Sequence, residues 1–288
     1  MPRITRELLR ATKSMILVYG GLGVGKTYFC GGALDYEELR PVFYVDTETG
    51  YRSIRSRIEE HYDDVEVWSL NSLNEMTHVL PVLFKKSRFK TVVFDSLTEY
   101  YALLMAAHMV VTKRDEDSTP TQQDYGIVGN RMMKLIRNIR KLGVTNFVAT
   151  ASAEVREDEM QGTTLITPDI VGKLSRRVPK LFDVVGYLDS ELRASSTGEM
   201  RRAKRTLQVQ PYGRIAAKDR TGSLGMVLND PTLIEVHRAI VDASIDAVTV
   251  EENSHKEEKE IAETDNTVDL DDLFGVTELE VGAQLGKE

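Results

Sequence analysis

Eight consecutive residues carry the plainest chemistry in this chain. Gly20-Gly21-Leu22-Gly23-Val24-Gly25-Lys26-Thr27 fits the spacing G-x-x-x-x-G-K-[ST], the Walker A pattern of a phosphate-binding loop. Glycines at these places let the backbone curl with its N–H groups pointing inward. A helix starting near Lys26 would aim the positive end of its dipole at the same point. Lys26 then reaches the β- and γ-phosphates of a nucleotide, and Thr27 sets its hydroxyl on Mg²⁺. A glycine turn with a chance lysine would give the same letters. The context separates the two readings: an apolar strand-like run, Met15 to Tyr19, comes before the loop and a helix-forming stretch follows it, to about Leu39.

A nucleotide site of this kind needs a carboxylate for the metal and another for the attacking water. Thr91-Val92-Val93-Phe94-Asp95 reads as a Walker B strand, with Asp95 helping to hold Mg²⁺. Ser96 follows Asp95, so the glutamate that directly follows this aspartate in many ATPases of the AAA+ type is absent. The candidate is Glu48, within Asp46-Thr47-Glu48-Thr49-Gly50 at the end of the run Val42 to Val45. Polar clusters at the carboxyl ends of buried strands lie on the ligand edge of an open α/β sheet. That strand is expected close to the phosphate loop, with Glu48 positioning water; the alternative is that Glu48 caps the helix after it.

The elements that must hold these residues alternate. Helices are predicted over Tyr51–Glu60, Asn71–Arg88, Leu97–Val111, Asp124–Leu142, Asp169–Phe182 and Pro231 to about Ala247. Further strands are predicted at Val65–Trp68, Asn146–Ala151, Asp183–Leu188, Arg201–Gln210 and Arg214–Lys218. Residues 113–123 and a second stretch to about Thr167 read as polar loops. The pattern predicts an α/β fold: a mostly parallel sheet covered by helices on both faces, with a late antiparallel hairpin.

The 288 residues carry a net charge of −8, but residues 251–288 hold thirteen acids and three bases, so the body is slightly basic. We expect an N-terminal arm over 1–13, an ATPase domain over 14–247 and an acidic, disordered tail over 248–288. No apolar run is long enough for a membrane span, and the first ten residues lack the apolar core of a signal peptide. A cytoplasmic protein without membrane partners is expected. Cys30 stands alone and is expected as a buried thiol on the sheet; the five histidines show no metal-ligand spacing.

Walker A, then Asp46-Thr47-Glu48 at a strand end, then Phe94-Asp95-Ser96, resembles the core of RecA-type ATPases over roughly residues 14–225. The resemblance implies ATP and Mg²⁺ as cofactors, Glu48 as catalytic glutamate and Asp95 as the metal carboxylate. Lys218-Asp219-Arg220, followed by Thr221-Gly222, resembles the lysine–x–arginine pair with which RadA and DnaB-type helicases reach a neighbouring subunit's ATP site. That implies a homo-oligomer, ring or filament, with Lys218 and Arg220 catalytic in trans; the alternative is a surface turn. Thr150 or Ser152 stands where RecA has its γ-phosphate sensor. The segments VDTETG, VFDSLTEYY, QDYG and KDRTG suit compact RecA-like ATPases of bacteriophages, which anneal single-stranded DNA; host cytoplasm would then be the location. Loops 113–123 and 155–167 match the family's DNA-facing loops. Arg156 and the basic run Lys173, Arg176, Arg177 and Lys180 are the candidate DNA contacts, or else a solvated helix face.

The acidic stretch Asp269-Leu270-Asp271-Asp272-Leu273-Phe274 resembles the tip of bacterial single-stranded DNA-binding proteins. It reads as a docking peptide for such a protein or another replication partner, as a DNA mimic, or as a solubilising tail. The expected function is a DNA-dependent ATPase acting on single-stranded DNA in recombination, annealing or repair. The alternatives are a small-molecule kinase and a slowly hydrolysing nucleotide switch.

Overall fold

The computed structural model describes residues 13–70, 83, 88–112, 118–142, 144–158, 162–194 and 200–243. Residues 1–12 of the expected 1–13 arm, most of the Asn71–Arg88 helix, residues 113–117 of the first polar loop and the acidic tail lie outside the described residues.

Apolar runs spaced by amphipathic segments give a sheet that is parallel through its centre. The strands are β1 (Ser14–Gly20), β2 (Val42–Asp46), β3 (Val65–Ser69), β4 (Thr91–Asp95), β5 (Asn146–Asp158), β6 (Thr163–Pro168), β7 (Val184–Ala194), β8 (Met200–Gln208), β9 (Lys218–Asp219) and β10 (Val227–Asn229). Their order across the sheet is β3-β2-β4-β5-β1-β7-β8-β10. From β3 to β7 the pairs are parallel; β8, β9 and β10 add antiparallel, as does β6 on β5. The expected mostly parallel α/β sheet with late antiparallel strands is therefore the fold.

Buried parallel strands send alternate residues to opposite faces, and each face needs its own cover. Met15, Leu17 and Tyr19 of β1 join Phe43, Val92, Phe94 and Phe147 in one core. Helices α3 (Leu97–Val111) and α4 (Gln122–Lys141) close it with Tyr100, Leu104, Met132 and Ile136. Ile16 and Val18 face the other way, with Tyr44, Val93 and Val148. That side is closed by α1 (Lys26–Gly31) and by α6 at 233–243, through Phe29, Cys30, Leu233, Ile234 and Ile240. Cys30 is fully buried, and burial pushes its thiol pKa up, as a structural cysteine requires.

A polar ladder fixes register at the starts of the central strands. Ser14 Oγ donates to Asn146 Oδ1, Asn146 Nδ2 to Thr91 Oγ1 at 3.3 Å, and Thr91 Oγ1 to the Leu39 carbonyl at 2.7 Å. Buried polar groups that a shift in register would leave unpaired resist a slip between β1, β5 and β4.

Several expected elements change. The first helix stops at Gly31 rather than near Leu39, where Gly32 caps it. Between Gly50 and Glu60 a 3₁₀ turn (Gly50–Ile54) precedes the short α2 (Arg55–Glu60). The second polar loop is a β-hairpin: β5 runs on to Asp158 and pairs with β6 from Ala153↔Pro168 outward. The signal there was composition rather than alternation: Thr-Thr-Leu-Ile-Thr is rich in β-branched residues, which favour strands. The basic helix expected over 169–182 shrinks to α5 (Leu174–Arg177) and a 3₁₀ turn at Pro179–Leu181. Gly172, at φ 60°, and Pro179 interrupt it. The strand expected over Arg214–Lys218 survives only as an isolated bridge at Ile215 and the two residues of β9.

Candidate nucleotide site

The phosphate loop hangs over the carboxyl end of β1, and α1 begins at Lys26. Gly20 to Thr27 thus occupy the strand–loop–helix geometry that the pattern demands. Lys26 Nζ donates to the carbonyls of Gly20 at 3.0 Å and Gly21 at 2.9 Å, folding back over the loop. Burial lowers its ammonium pKa, while the carboxylates of Glu48 and Asp95 pull the other way. Both carboxylates therefore face this lysine electrostatically. Leu22 is exposed at the loop's crest, and Val24 is buried beneath it.

β2 does not lie beside β1; β5 and β4 stand between them. The loop after β2 nevertheless returns to the phosphate loop, and named side chains make it do so. Asp46 is fully buried and accepts from the backbone N–H groups of Glu48 (3.0 Å), Gly50 (3.0 Å) and Tyr51 (2.9 Å), curling the chain around its carboxylate. Thr47 locks the loop to the end of β4: its N–H donates to Asp95 O at 2.8 Å. Its hydroxyl donates to Ser96 O at 3.1 Å and accepts from Ser96 N–H at 2.8 Å. Ser96 Oγ in turn donates to Glu48 Oε1 and caps α3 by accepting from Glu99 N–H at 3.3 Å. No glutamate follows Asp95 in sequence, but Glu48 stands beside Ser96 in space, across the strand pair β2–β4.

Asp95 is held from two sides: Tyr44 Oη donates to Oδ2 at 2.8 Å, and Thr150 Oγ1 donates to Oδ1 at 2.5 Å. Burial and then the Asp95 charge push the Tyr44 pKa well up, so the phenol remains a donor. Thr150 therefore orients the Walker B carboxylate. Ser152 donates its N–H to Thr98 Oγ1 at 3.0 Å.

Gly50 shows how Mg²⁺ fits this donor set. A Cβ placed there would stand 3.0 Å from Thr27 Oγ1 and 3.3 Å from Asp95 Oδ2. Hydroxyl and carboxylate both stand beside Gly50, and a side chain there would crowd them. One hydroxyl, one carboxylate and the ligand's own phosphates suit Mg²⁺, which keeps water and uses few protein ligands. Among the described residues no cluster of three or more His, Cys, Asp or Glu could hold a metal.

The other expected site residues lie elsewhere. β9 pairs with the start of β7, Val184↔Asp219 and Val185↔Lys218, at the strand end opposite the phosphate loop. Lys218 Nζ donates to Phe182 O and, at 3.4 Å, to Pro179 O; Arg220 pairs with Asp183 at 2.8 Å and donates to Lys180 O at 3.2 Å. Neither reaches the chain's own nucleotide site. Arg156, expected at a DNA-facing loop, is a strut inside the fold. It pairs with Glu154 at 2.7 and 2.8 Å and donates to Gly172 O (3.0 Å), Ser175 Oγ (2.8 Å) and Ile170 O (3.2 Å). Lys173, Arg176 and Arg177 are exposed.

Sequence reading placed Asp46, Thr47 and Gly50 in a ligand-edge cluster without their parts in it, named Thr150 as a candidate γ-phosphate sensor rather than as the Asp95 partner seen here, and missed Tyr44. Asp46 carried a signal, an acid closing an apolar strand. Tyr44 carried none, being an ordinary strand residue until β2 and β4 stand side by side.

The family described as AAA domain matches residues 12–221. No curated protein matches this chain. Among solved structures, that of the RadB recombinase is similar at 17% identity over 75% of this chain and 86% of that one, with a TM-score of 0.46, a distant likeness. Among the described residues no helix is long and apolar enough to cross a membrane. With the family covering most of the chain, including the phosphate loop, Glu48, Asp95 and Lys218, the chain belongs to the family described as AAA domain, a P-loop domain.

Proposed function

We propose that this protein is a RecA-type ATPase driven by single-stranded DNA, working as a homo-oligomer in recombination, annealing or repair. The observation that carries the ATPase reading is the convergence of Lys26, Thr27, Asp95 and Glu48 at one strand end, although they come from three separate strands. Bound Mg²⁺ supplies charge neutralisation at the phosphates. Thr27 and Asp95 would hold it, Lys26 would neutralise the terminal phosphates, and Glu48, oriented by Ser96 and the Asp46-centred loop, would accept a proton from the attacking water.

The DNA reading draws support from a cavity of about 510 Å³ between α3, the first turns of α4 and the 171–177 segment. Tyr101 and Tyr125 line it together with Lys173 and Arg177. Aromatic faces beside cations suit unpaired bases and their phosphates. Arg156 serves this region by holding the carbonyls of Ile170 and Gly172. Thr98, two residues after Ser96, donates to Asp169 O at 2.8 Å and so links the cavity's edge to the catalytic strand end.

Lys218 and Arg220, at the opposite strand end from the phosphate loop, would act only on a neighbour's nucleotide. Their role is thus proposed in trans. Phosphate release measured with and without single-stranded DNA tests the whole reading. Stimulation by single strands and not by duplex is expected; an unchanged rate would sink the DNA coupling.

A further inference from the structure

The strand order gives the nucleotide site two unequal flanks. β1 lies between β5 and β7. Glu48, Gly50 and Asp95 all approach the loop from the β5–β4–β2 side, which makes that the flank of the metal and the terminal phosphate. A triphosphate lying over the tip of β1 must send its nucleoside end toward β7 and β8. The side chain standing there is Arg205.

Arg205 sits on β8, opposite Ser190 of β7. Its backbone is fixed on both sides, N–H to Asp230 Oδ1 at 2.9 Å and carbonyl from Asp230 N–H at 2.8 Å. Its guanidinium lies against the last glycine of the phosphate loop: a Cβ on Gly25 would meet Arg205 Nε at 2.9 Å and Cζ at 3.1 Å. The same guanidinium covers the ring of Tyr28, with Cζ 4.4 Å from the centroid. The Tyr28 ring also carries the Arg57 guanidinium, at 4.1 Å. Arg57 is itself tied down by the Tyr28 carbonyl at 2.9 Å and by Asp35 at 3.0 Å. Tyr28 directly follows Thr27, so two guanidiniums packed on one ring bring Arg205 to the first turn of α1.

We propose that Arg205 is a nucleotide-binding residue supplied in cis, taking the α-phosphate of a nucleoside di- or triphosphate, with Tyr28 as its positioning residue. The proposal rests on reading Gly20–Thr27 as a phosphate loop. A guanidinium is permanently charged, and its planar fork of donors matches phosphate oxygens. Packing on Tyr28 and the Asp230 contacts order the arginine in advance, so little freedom is lost on binding. Lys26 and Arg205 divide the phosphate chain, the lysine serving β and γ and the arginine serving α.

ATP and ADP share the α-phosphate. An α-contact strengthens ground state and transition state alike, so its loss raises KM and leaves kcat at saturation unchanged. Calorimetric titration of the full chain with ADP and with ATP and Mg²⁺ tests this. Arg205→Ala is expected to weaken both by roughly 10- to 100-fold, the worth of a charged hydrogen bond, and by equal factors. Arg205→Lys loses part of the affinity, Tyr28→Phe keeps it, and Tyr28→Ala lowers it. Melting without nucleotide reports folding separately. If Arg205→Ala does not fold, Arg205→Lys and Tyr28→Ala carry the test. Should the unsubstituted chain bind neither nucleotide, the phosphate-loop reading fails and this assignment with it. If it binds ADP and the folded variants bind ADP equally well, only the Arg205 assignment is overturned; a loss confined to ATP would move Arg205 to the γ end and overturn it too.

Discussion

Ser96 Oγ donates a hydrogen bond to Glu48 Oε1 across the β2–β4 pair, joining the residue after Asp95 to a carboxylate that acts on the Lys26 ammonium. Glu48→Gln should keep nucleotide binding and lower hydrolysis about 100-fold or more, the usual worth of a positioned base. Ser96→Ala should show a smaller loss of kcat together with about 1 kcal/mol of stability, because it also removes the cap of α3. Single-turnover hydrolysis and melting measure the two. A rate for Glu48→Gln equal to that of the unsubstituted chain would favour a slow nucleotide switch instead.

Gly50→Ala should act on the metal rather than on the fold. The added Cβ stands 3.0 Å from Thr27 Oγ1 and 3.3 Å from Asp95 Oδ2. Displacing groups that orient metal ligands costs roughly 10- to 100-fold in metal affinity. The Mg²⁺ concentration giving half-maximal hydrolysis should rise, while melting without nucleotide shifts little.

The Lys26 ammonium, lowered by burial, loses its proton at a lower pH than the ordinary lysine value of 10.5. Nucleotide affinity should fall as pH rises through that lowered value. Stability of the nucleotide-free chain should move the other way between it and 10.5, since there the unfolded chain binds the proton and the folded chain does not. Lys26→Met should remove both dependences. Parallel titrations of affinity and melting against pH check the opposite signs.

Arg156 and the exposed bases should separate cleanly. Arg156→Ala strips donors from Ile170 O, Gly172 O and Ser175 Oγ and should cost about 1–3 kcal/mol of stability. Lys173→Ala and Arg177→Ala should leave melting unchanged. They should weaken single-strand binding and each lower its salt slope by about one phosphate's worth. Anisotropy of a labelled oligothymidine across a salt series decides; weakened melting in the lysine variant would place Lys173 in the scaffold too.

Mixing tests the trans pair. Lys26→Ala and Arg220→Ala should each be inactive alone. Together they should recover part of the activity, because a mixed junction pairs an intact phosphate loop with an intact arginine. No recovery in an assembled mixture would return Arg220 to its observed part, holding Asp183 and Lys180 within one chain.

The sequence by itself determined the parts whose signal is local. A phosphate loop, apolar strands ending in acids and the bounds of α3 are written in neighbouring residues, because backbone curl, strand burial and helix capping act over a few positions. Only the tertiary structure decided what depends on strand order. It inserted β5 and β4 between β2 and β1, yet brought Gly50 to Thr27 through the turn that Asp46 winds. It turned Arg156 inward and set Lys218 at the far strand end. It also carried Arg205 from β8 to Gly25, 180 positions away in the sequence. Side-chain direction across a sheet follows from which strands are neighbours and in what register, and those are set by the sum of buried contacts rather than by the residues on either side.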